Sequence, residues 1–148
     1  MKIGELCNRE VVFAERGCDL LQAAKLMREY HVGCLIVSDR ESGKIKPIGI
    51  ITDRDLVVEA IAEEVELDKV TLADIVIKEP VVAREEDDIY ETIEVMRTNG
   101  VRRLPVIDSM GYLTGIVTLD DLLEIIAEEL VNISKLIVRE QQTEEKVH

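Results

Sequence analysis

The spacing of apolar positions changes in a fixed order along the first half of the chain. Between residues 20 and 30 they recur every three or four residues, which places them on one face of a helix. Two short runs follow, at 34–37 and 48–51, and both are rich in β-branched residues and of strand length. A second helical stretch covers 53–64. The pattern therefore predicts a short extended piece, a helix, two strands and a second helix.

The same order occurs again in the second half of the chain. Residues 3–39 align with residues 72–108 at a constant offset of 69, and ten of the aligned residues are identical. After a gap of three residues the match resumes at an offset of 66, with a second helix predicted at 119–129. The gap falls between Asp39 and Gly49, in a stretch rich in Ser, Gly and Lys, and predicts a loop there.

The repeat sets the expected organisation of the chain. Residues 1–66 form the first repeat and residues 70–130 the second, joined by a short charged segment. Residues 131–148 form a tail that either extends the last helix or frays. Hydrophobic residues make up 47% of the chain but aromatic residues only 3%, so the core must be aliphatic. This composition is typical of an α/β fold in which helices cover parallel strands.

Charge and apolar run length exclude several classes of partner. The net charge of -13 repels nucleic acid and anionic lipid at long range. The apolar runs are too short to span a bilayer and no signal peptide is recognised, so we expect a cytoplasmic protein that binds neither membrane nor nucleic acid. Cys7, Cys18 and Cys34 are odd in number and lack Cys-x-x-Cys spacing, so we interpret them as small buried residues.

The strongest motif lies where the second strand of each repeat meets the following helix. Gly49, Thr52 and Asp55 in the first repeat correspond to Gly115, Thr118 and Asp121 in the second. One interpretation is a capping box, in which Thr and the acid bond reciprocally to backbone amides. The other is a ligand site, in which the acid binds ribose hydroxyls while Thr and the amides of the helix N-terminus bind phosphate. The residues alone leave both open.

These corners resemble the tandem cystathionine-beta-synthase (CBS) domain pair, also called a Bateman module. The pattern Gly-hydrophobic-x-Thr-x-x-Asp in both copies and the run 99–108 before the second carry the resemblance, which covers about residues 1–130. It implies two βαββα repeats related by a pseudo-twofold axis and packed as one module. It also implies two clefts, which members of the family use for AMP, ADP, ATP, NAD(H) or S-adenosylmethionine.

Carried over residue by residue, the resemblance gives two sets of ligand-binding residues. The first cleft would combine residues of both repeats: Thr52, Asp55, Val11, Val12, Phe13, Arg102 and Arg103. The second would do the same with Thr118, Asp121, Val81, Val82, Gly33, Cys34 and Arg54. Because the first cleft has two arginines where the second has Gly33 and Cys34, we expect the first to bind a nucleotide phosphate better. A solvated pair at a strand edge is the alternative for these arginines.

The resulting hypothesis is a non-catalytic, regulatory small-molecule sensor that binds an adenine nucleotide between its repeats. We expect no catalytic residue, metal ligand or catalytic cofactor, because the two histidines, His31 and His148, lie at a predicted helix end and the chain end, and no nucleophile motif is present. The alternative is a ligand-free module that dimerises or regulates a partner protein. The resemblance implies a homodimer in either case.

Overall fold

Both halves of the chain form the predicted order of elements. The computed structural model describes residues 1–76 and 79–147. The first half contains α1 (Ile3–Leu6), β1 (Phe13–Glu15), α2 (Leu20–Tyr30), β2 (Cys34–Glu41), β3 (Lys44–Thr52), α3 (Asp53–Asp55) and a π-helical segment (Leu56–Ile61). The second contains α4 (Leu72–Ile75), β4 (Ala83–Arg84), α5 (Ile89–Asn99), β5 (Arg103–Ile107), β6 (Leu113–Thr118) and α6 (Leu119–Val147). The predicted α/β class is confirmed. The chain divides into one compact unit, Met1–Val117, and a second that begins at Thr118.

Each repeat has a three-stranded sheet with the same strand order. In the first, β1 runs parallel to β2 and places Ala14 opposite Val37, while β2 pairs antiparallel with β3. In the second, the order is β4-β5-β6, and parallel pairing places Ala83 opposite Val106. Both pairs differ by the repeat offset of 69. The two repeats, which are similar in sequence, therefore also pair their first two strands in the same register.

Helices α2 and α5 begin and end at equivalent residues of the two repeats. Asp19 accepts a hydrogen bond from the Gln22 amide at 2.8 Å, and Asp88 accepts one from the Glu91 amide at 2.7 Å. The helices end in left-handed residues, His31 with φ 53° and Gly100 with φ 64°. Between these ends the buried face of α2 packs into an aliphatic core, with Leu20, Ala23, Met27, Leu35, Val37, Ile51 and Leu72.

The two repeats exchange the short helices that lead into them. Four backbone hydrogen bonds link these helices to the opposite repeat: Ile3 N to Asp87 O (2.8 Å), Gly4 N to Glu85 O (2.9 Å), Leu72 N to Cys18 O (2.9 Å) and Ala73 N to Arg16 O (3.1 Å). Helix α1 thus docks on the second repeat, while α4 docks on the first through the equivalent atoms. This reciprocity is what a pseudo-twofold relation between the repeats requires.

The predicted loop between Asp39 and Gly49 is a tight hairpin instead. Strands β2 and β3 extend to Glu41 and Lys44, and the turn consists of Ser42 and Gly43, both with positive φ (52° and 77°). Two consecutive residues of positive φ allow a two-residue turn to match the twist of the strands. The length change between repeats is therefore a change in hairpin length.

Two helices also differ from their predicted extents. The helix predicted at 53–64 is α-helical only over Asp53–Asp55 and continues as the π-helical segment. The helix predicted at 119–129 continues to Val147, which corresponds to the first of the two alternatives given for the tail, and His148 lies outside the described residues. Within the described ranges, no helix combines the length and apolar character that crossing a membrane requires.

Candidate ligand-binding cleft

The corner between β3 and α3 is a capping box. Thr52 Oγ1 accepts a hydrogen bond from the Asp55 amide at 3.2 Å, and Asp55 Oδ2 accepts one from the Thr52 amide at 2.9 Å. Both side chains can form further hydrogen bonds in addition to the capping bonds. A carboxylate can accept about four hydrogen bonds, and the hydroxyl of Thr52 keeps its own hydrogen for a further acceptor. The two interpretations of this motif are therefore compatible.

The equivalent corner lies at the start of α6. Thr118 Oγ1 accepts a hydrogen bond from the Asp121 amide at 3.2 Å, so the first bond of a capping box is present here as well. The role of Thr118 and Asp121 in a second cleft stays a prediction.

A cleft of about 410 Å³ opens beside Asp55. The described residues that line it come from both repeats: Gly49, Ile50, Asp55, Glu59, Ile75, Val76, Glu79, Pro80, Val81, Val101, Arg103 and Leu104. Asp55 belongs to the first repeat and Arg103 to the second, so the structure brings together the carboxylate and one guanidinium predicted for the first cleft. Aliphatic side chains form much of the remaining described wall, so the cleft combines apolar contact surface with polar groups.

The residues at or just before the first strand of each repeat are grouped differently from the prediction. Val81 lines the cleft of Asp55, although the sequence placed it with Asp121, and Val82 lines a neighbouring cavity of about 600 Å³. Val11, Val12 and Phe13 are not among the described residues that line the cleft of Asp55; the Val12 carbonyl accepts the Ile36 amide at 3.1 Å. The reason is the exchange of leading segments, which brings the strand start of the second repeat to the motif of the first.

The motif glycines make room for this exchange. A Cβ on Gly49 would lie 2.3 Å from Val76 Cγ1, and one on Gly115 would lie 2.7 Å from Cys7 Sγ and 2.9 Å from the Asn8 carbonyl oxygen. Asn8 and Ile116 also exchange two backbone hydrogen bonds of 2.9 Å. Glycine in a strand interior is a sign of close backbone approach, and this sign was available in the sequence.

The other predicted residues lie around the first corner or on the surface. The Gly33 carbonyl accepts the Asp53 amide at 2.9 Å, and Cys34 is opposite Thr52 in the β2–β3 register. Arg54 is exposed, with its amide bonded to Asp53 Oδ1 at 2.8 Å, and Arg102 is exposed as well.

Sequence reasoning missed two acids of the cleft. Glu59 and Glu79 line it together with Asp55, whereas Arg103 is the one cation among the described lining residues. Glu59 lies one helical turn after Asp55, and Glu79 aligns with the identical Glu10 of the first repeat. Both signals existed, but a single acid in an acidic sequence is usually solvated. Among the described lining residues, acids therefore outnumber bases.

Known proteins share both the sequence and the fold. The family model of the CBS domain matches residues 3–61 and again residues 72–128. A protein of Methanopyrus kandleri is 36% identical over 126 residues, which cover 84% of this chain and 62% of that protein. The inosine-5'-monophosphate dehydrogenase of Methanocaldococcus jannaschii is 34% identical over 123 residues, which cover 83% of this chain but 23% of the dehydrogenase. The chain thus spans less than two thirds of either relative.

A solved structure extends the comparison to three dimensions. The CBS domain of a bacterial CNNM/CorC family Mg²⁺ transporter, in complex with ATP, has a TM-score of 0.73 and 28% identity to this chain. The match covers 86% of this chain and 87% of that one. Together with the two matches of the family model, the exchanged leading helices and the paired Thr-x-x-Asp corners, this shows that the chain belongs to the CBS-domain family.

Proposed function

We propose that the chain is a non-catalytic regulatory module that binds an adenine nucleotide in the cleft beside Asp55. The observation that carries the proposal is that Asp55 and Arg103, from different repeats, line one cleft. A carboxylate can accept hydrogen bonds from ribose hydroxyls, and a guanidinium can bind a phosphate through charge-assisted hydrogen bonds. The ATP complex of the similar transporter domain supports the choice of ligand class.

The charge of the cleft predicts an order among the candidate nucleotides. Among the described residues that line the cleft are three carboxylates, of Asp55, Glu59 and Glu79, and one guanidinium, of Arg103. Each additional phosphate adds repulsion from these carboxylates, since like charges disfavour one another at short range. We therefore expect AMP to bind more tightly than ADP or ATP in the absence of divalent cations.

The test is a thermal-shift screen with AMP, ADP, ATP, NAD, NADH and S-adenosylmethionine, followed by calorimetric titration of each compound that gives a shift. A ligand at 100 times its Kd adds about 2.7 kcal/mol of stability, which such a screen detects. We expect Arg103→Ala to weaken nucleotide binding by about tenfold to a hundredfold, because a hydrogen bond to a charged group contributes about 1.5–3 kcal/mol.

Arg84→Ala is the matched control for this substitution. Arg84 is an exposed strand arginine of the same repeat and is not among the described residues that line the cleft. Its removal should leave the affinity unchanged. The absence of a shift with every compound, or an equal loss of affinity in both variants, would contradict nucleotide binding in this cleft.

A second candidate function is a homodimeric interaction module that regulates a partner protein without a ligand. The observation that favours it is the exposure of Val57, Val58 and Ile61 on the π-helical segment. Adjacent exposed aliphatic residues are typical of protein interfaces. The same screen separates the two candidates, since this one predicts no shift with any nucleotide.

A further inference from the structure

A second cavity, of about 600 Å³, adjoins the proposed nucleotide cleft. Val76, Glu79 and Pro80 line both, whereas the other described residues of its lining are not among those of the cleft. Strand β3 of the first repeat supplies Pro47, and the end of β5 in the second repeat supplies Ile107. The volume falls within the range of about 300–1,000 Å³ that small-molecule sites occupy. The cavity is therefore a candidate site in its own right.

The cavity is aliphatic inside and charged at its mouth. Pro47 and Ile107 are buried, and Val82 is half-buried. Arg16 and Lys46 reach solvent, with side chains that are 55% and 54% exposed. Aliphatic surface favours an apolar group, whereas a charged group is stable only where it meets water or a partner of opposite charge. A ligand that fits both regions has an apolar body and a charged end.

The bases at the mouth favour a negative charge on that end. Arg16 and Lys46 are the bases among the described lining residues, and Glu79 is the acid. Bases thus outnumber acids here, whereas acids outnumber bases among the described residues of the cleft. Because a carboxylate carries one negative charge, it balances the two bases and the acid. A ligand carboxylate is therefore attracted to this mouth rather than to the cleft.

Both bases keep hydrogen-bond donors for a ligand. Arg16 donates from Nε and Nη2 to the carboxylate of Asp39, and these bonds use two of the five N–H groups of the guanidinium. Lys46 Nζ is 3.6 Å from Glu41 Oε2, beyond the usual length of a hydrogen bond. Asp39 is also opposite Lys46 in the β2–β3 register, so both bases lie next to the same residue. One ligand carboxylate can therefore be bound by both.

A contact between the repeats holds two walls of the cavity together. Lys44 Nζ lies 5.3 Å from the centroid of the Tyr112 ring, which joins β3 to the turn that contains the lining residue Gly111. The amides of Met110 and Tyr112 in this turn donate to Asp108 Oδ1 at 2.9 and 3.0 Å. The cavity is therefore formed before a ligand binds, as is usual for small-molecule sites.

We propose that this cavity binds a small carboxylate with an aliphatic body, either a simple carboxylic acid or an aliphatic amino acid. The carboxylate accepts hydrogen bonds from Arg16 and Lys46 at the mouth, while the aliphatic body packs against Ile107. The ammonium group of an amino acid pairs in addition with Glu79. The proposal does not depend on nucleotide binding in the neighbouring cleft.

The experiment follows the amide chemical shifts of the isotope-labelled full chain during titration with compounds at millimolar concentration. Isocaproate has both parts of the ligand, acetate has only the carboxylate, and isohexanol has only the aliphatic body. We expect isocaproate to shift the amides of Ile107 and Gly111. It should bind at least about tenfold more tightly than either truncated compound, since a buried methylene contributes about fourfold and a hydrogen bond to a charged group about tenfold.

L-leucine differs from isocaproate by its ammonium group and separates the two sources of the carboxylate. Tighter binding of L-leucine that is lost in Glu79→Gln identifies an amino acid, because the variant removes the charge that pairs with the ammonium. Tighter binding of isocaproate identifies a simple carboxylic acid. Either result supports the proposed site, and the absence of shifts with both compounds would contradict it.

Two double variants of equal charge complete the test. Arg16→Ala/Lys46→Ala should weaken isocaproate binding at least about tenfold. Arg40→Ala/Lys69→Ala is the matched control, because Arg40 and Lys69 are exposed, are paired with acids, and are not among the described lining residues. A dispersed amide spectrum verifies that each variant is folded. Shifts that lie away from the cavity, equal affinity for isocaproate and a truncated compound, or an equal loss in both double variants would overturn the proposal.

Discussion

At the scale of single residues, the other repeat leaves no room for a side chain at the glycine before each Thr-x-x-Asp corner. Gly115 lies against Cys7 and the backbone of Asn8, at distances that no Cβ tolerates. A side-chain neighbour can rotate away, but a carbonyl oxygen moves only with its chain. This glycine therefore serves the exchange of leading segments rather than a turn.

We expect Gly115→Ala to reduce the free energy of unfolding by about 1–3 kcal/mol, the usual cost of overpacking a close contact. Chemical denaturation monitored by circular dichroism measures the change. Gly17→Ala is the control: a Cβ there meets nothing within 4 Å, so its effect should be small or slightly stabilising. If both substitutions had the same effect, close approach would not explain Gly115.

At the scale of elements, the sequence was most informative where one repeat alone determines the outcome. The apolar spacing and the constant offset predicted α2, α5 and the equivalent register of the two sheets. The hairpin at Ser42 and Gly43 was missed because its strands carry polar residues on an exposed edge. The grouping of Val81 with Asp55 was missed because it depends on the exchange of leading segments, which no local pattern contains.

The link between the first leading segment and the second repeat also has a charged component. Arg9 donates to Glu85 Oε1 at 2.7 Å and to the Gly4 carbonyl at 2.6 Å. Side-chain hydrogen bonds hold the pKa of Glu85 below its ordinary value, with the larger effect from Arg9 and a smaller one from Thr114. A group with a lowered pKa in the folded state stabilises that state above its unfolded pKa, about 4.3 for glutamate, and loses this effect as the pH falls.

We therefore expect Glu85→Gln to be less stable than the wild type at pH 7 and to approach it as the pH falls below about 4.3. Urea denaturation at pH 7, 5, 4 and 3 measures the difference. The neighbouring Glu86 is exposed, and Glu86→Gln should follow the wild-type curve throughout. A difference for Glu85→Gln that stayed constant over this range would show that packing, not charge, accounts for its loss of stability.

At the scale of the whole molecule, neither repeat supplies its own leading helix. Leu72 of α4 is fully buried and belongs to the core cluster that includes Leu20 and Leu35, while Ile3 of α1 is fully buried and α1 is bonded to the second repeat. A fragment of residues 1–69 lacks Leu72, and losing a core leucine costs about 2–5 kcal/mol. Helix α1 of the fragment has the position in the first repeat that α4 has in the second. In a dimer of the fragment, α1 of each copy can therefore dock where α4 docks in the full chain.

This reciprocity makes the stability of the fragment depend on its concentration. We expect residues 1–69 to be unfolded when dilute and to fold as a dimer when concentrated, with circular dichroism and sedimentation changing together. Ile3→Ala should shift this transition to higher concentration, because the exchanged helix then buries less apolar surface, whereas the control Glu5→Ala should not. A fragment that is folded and monomeric at every concentration would show that the first repeat folds without a leading helix docked on it. The exchange of helices would then not be required for the stability of that repeat.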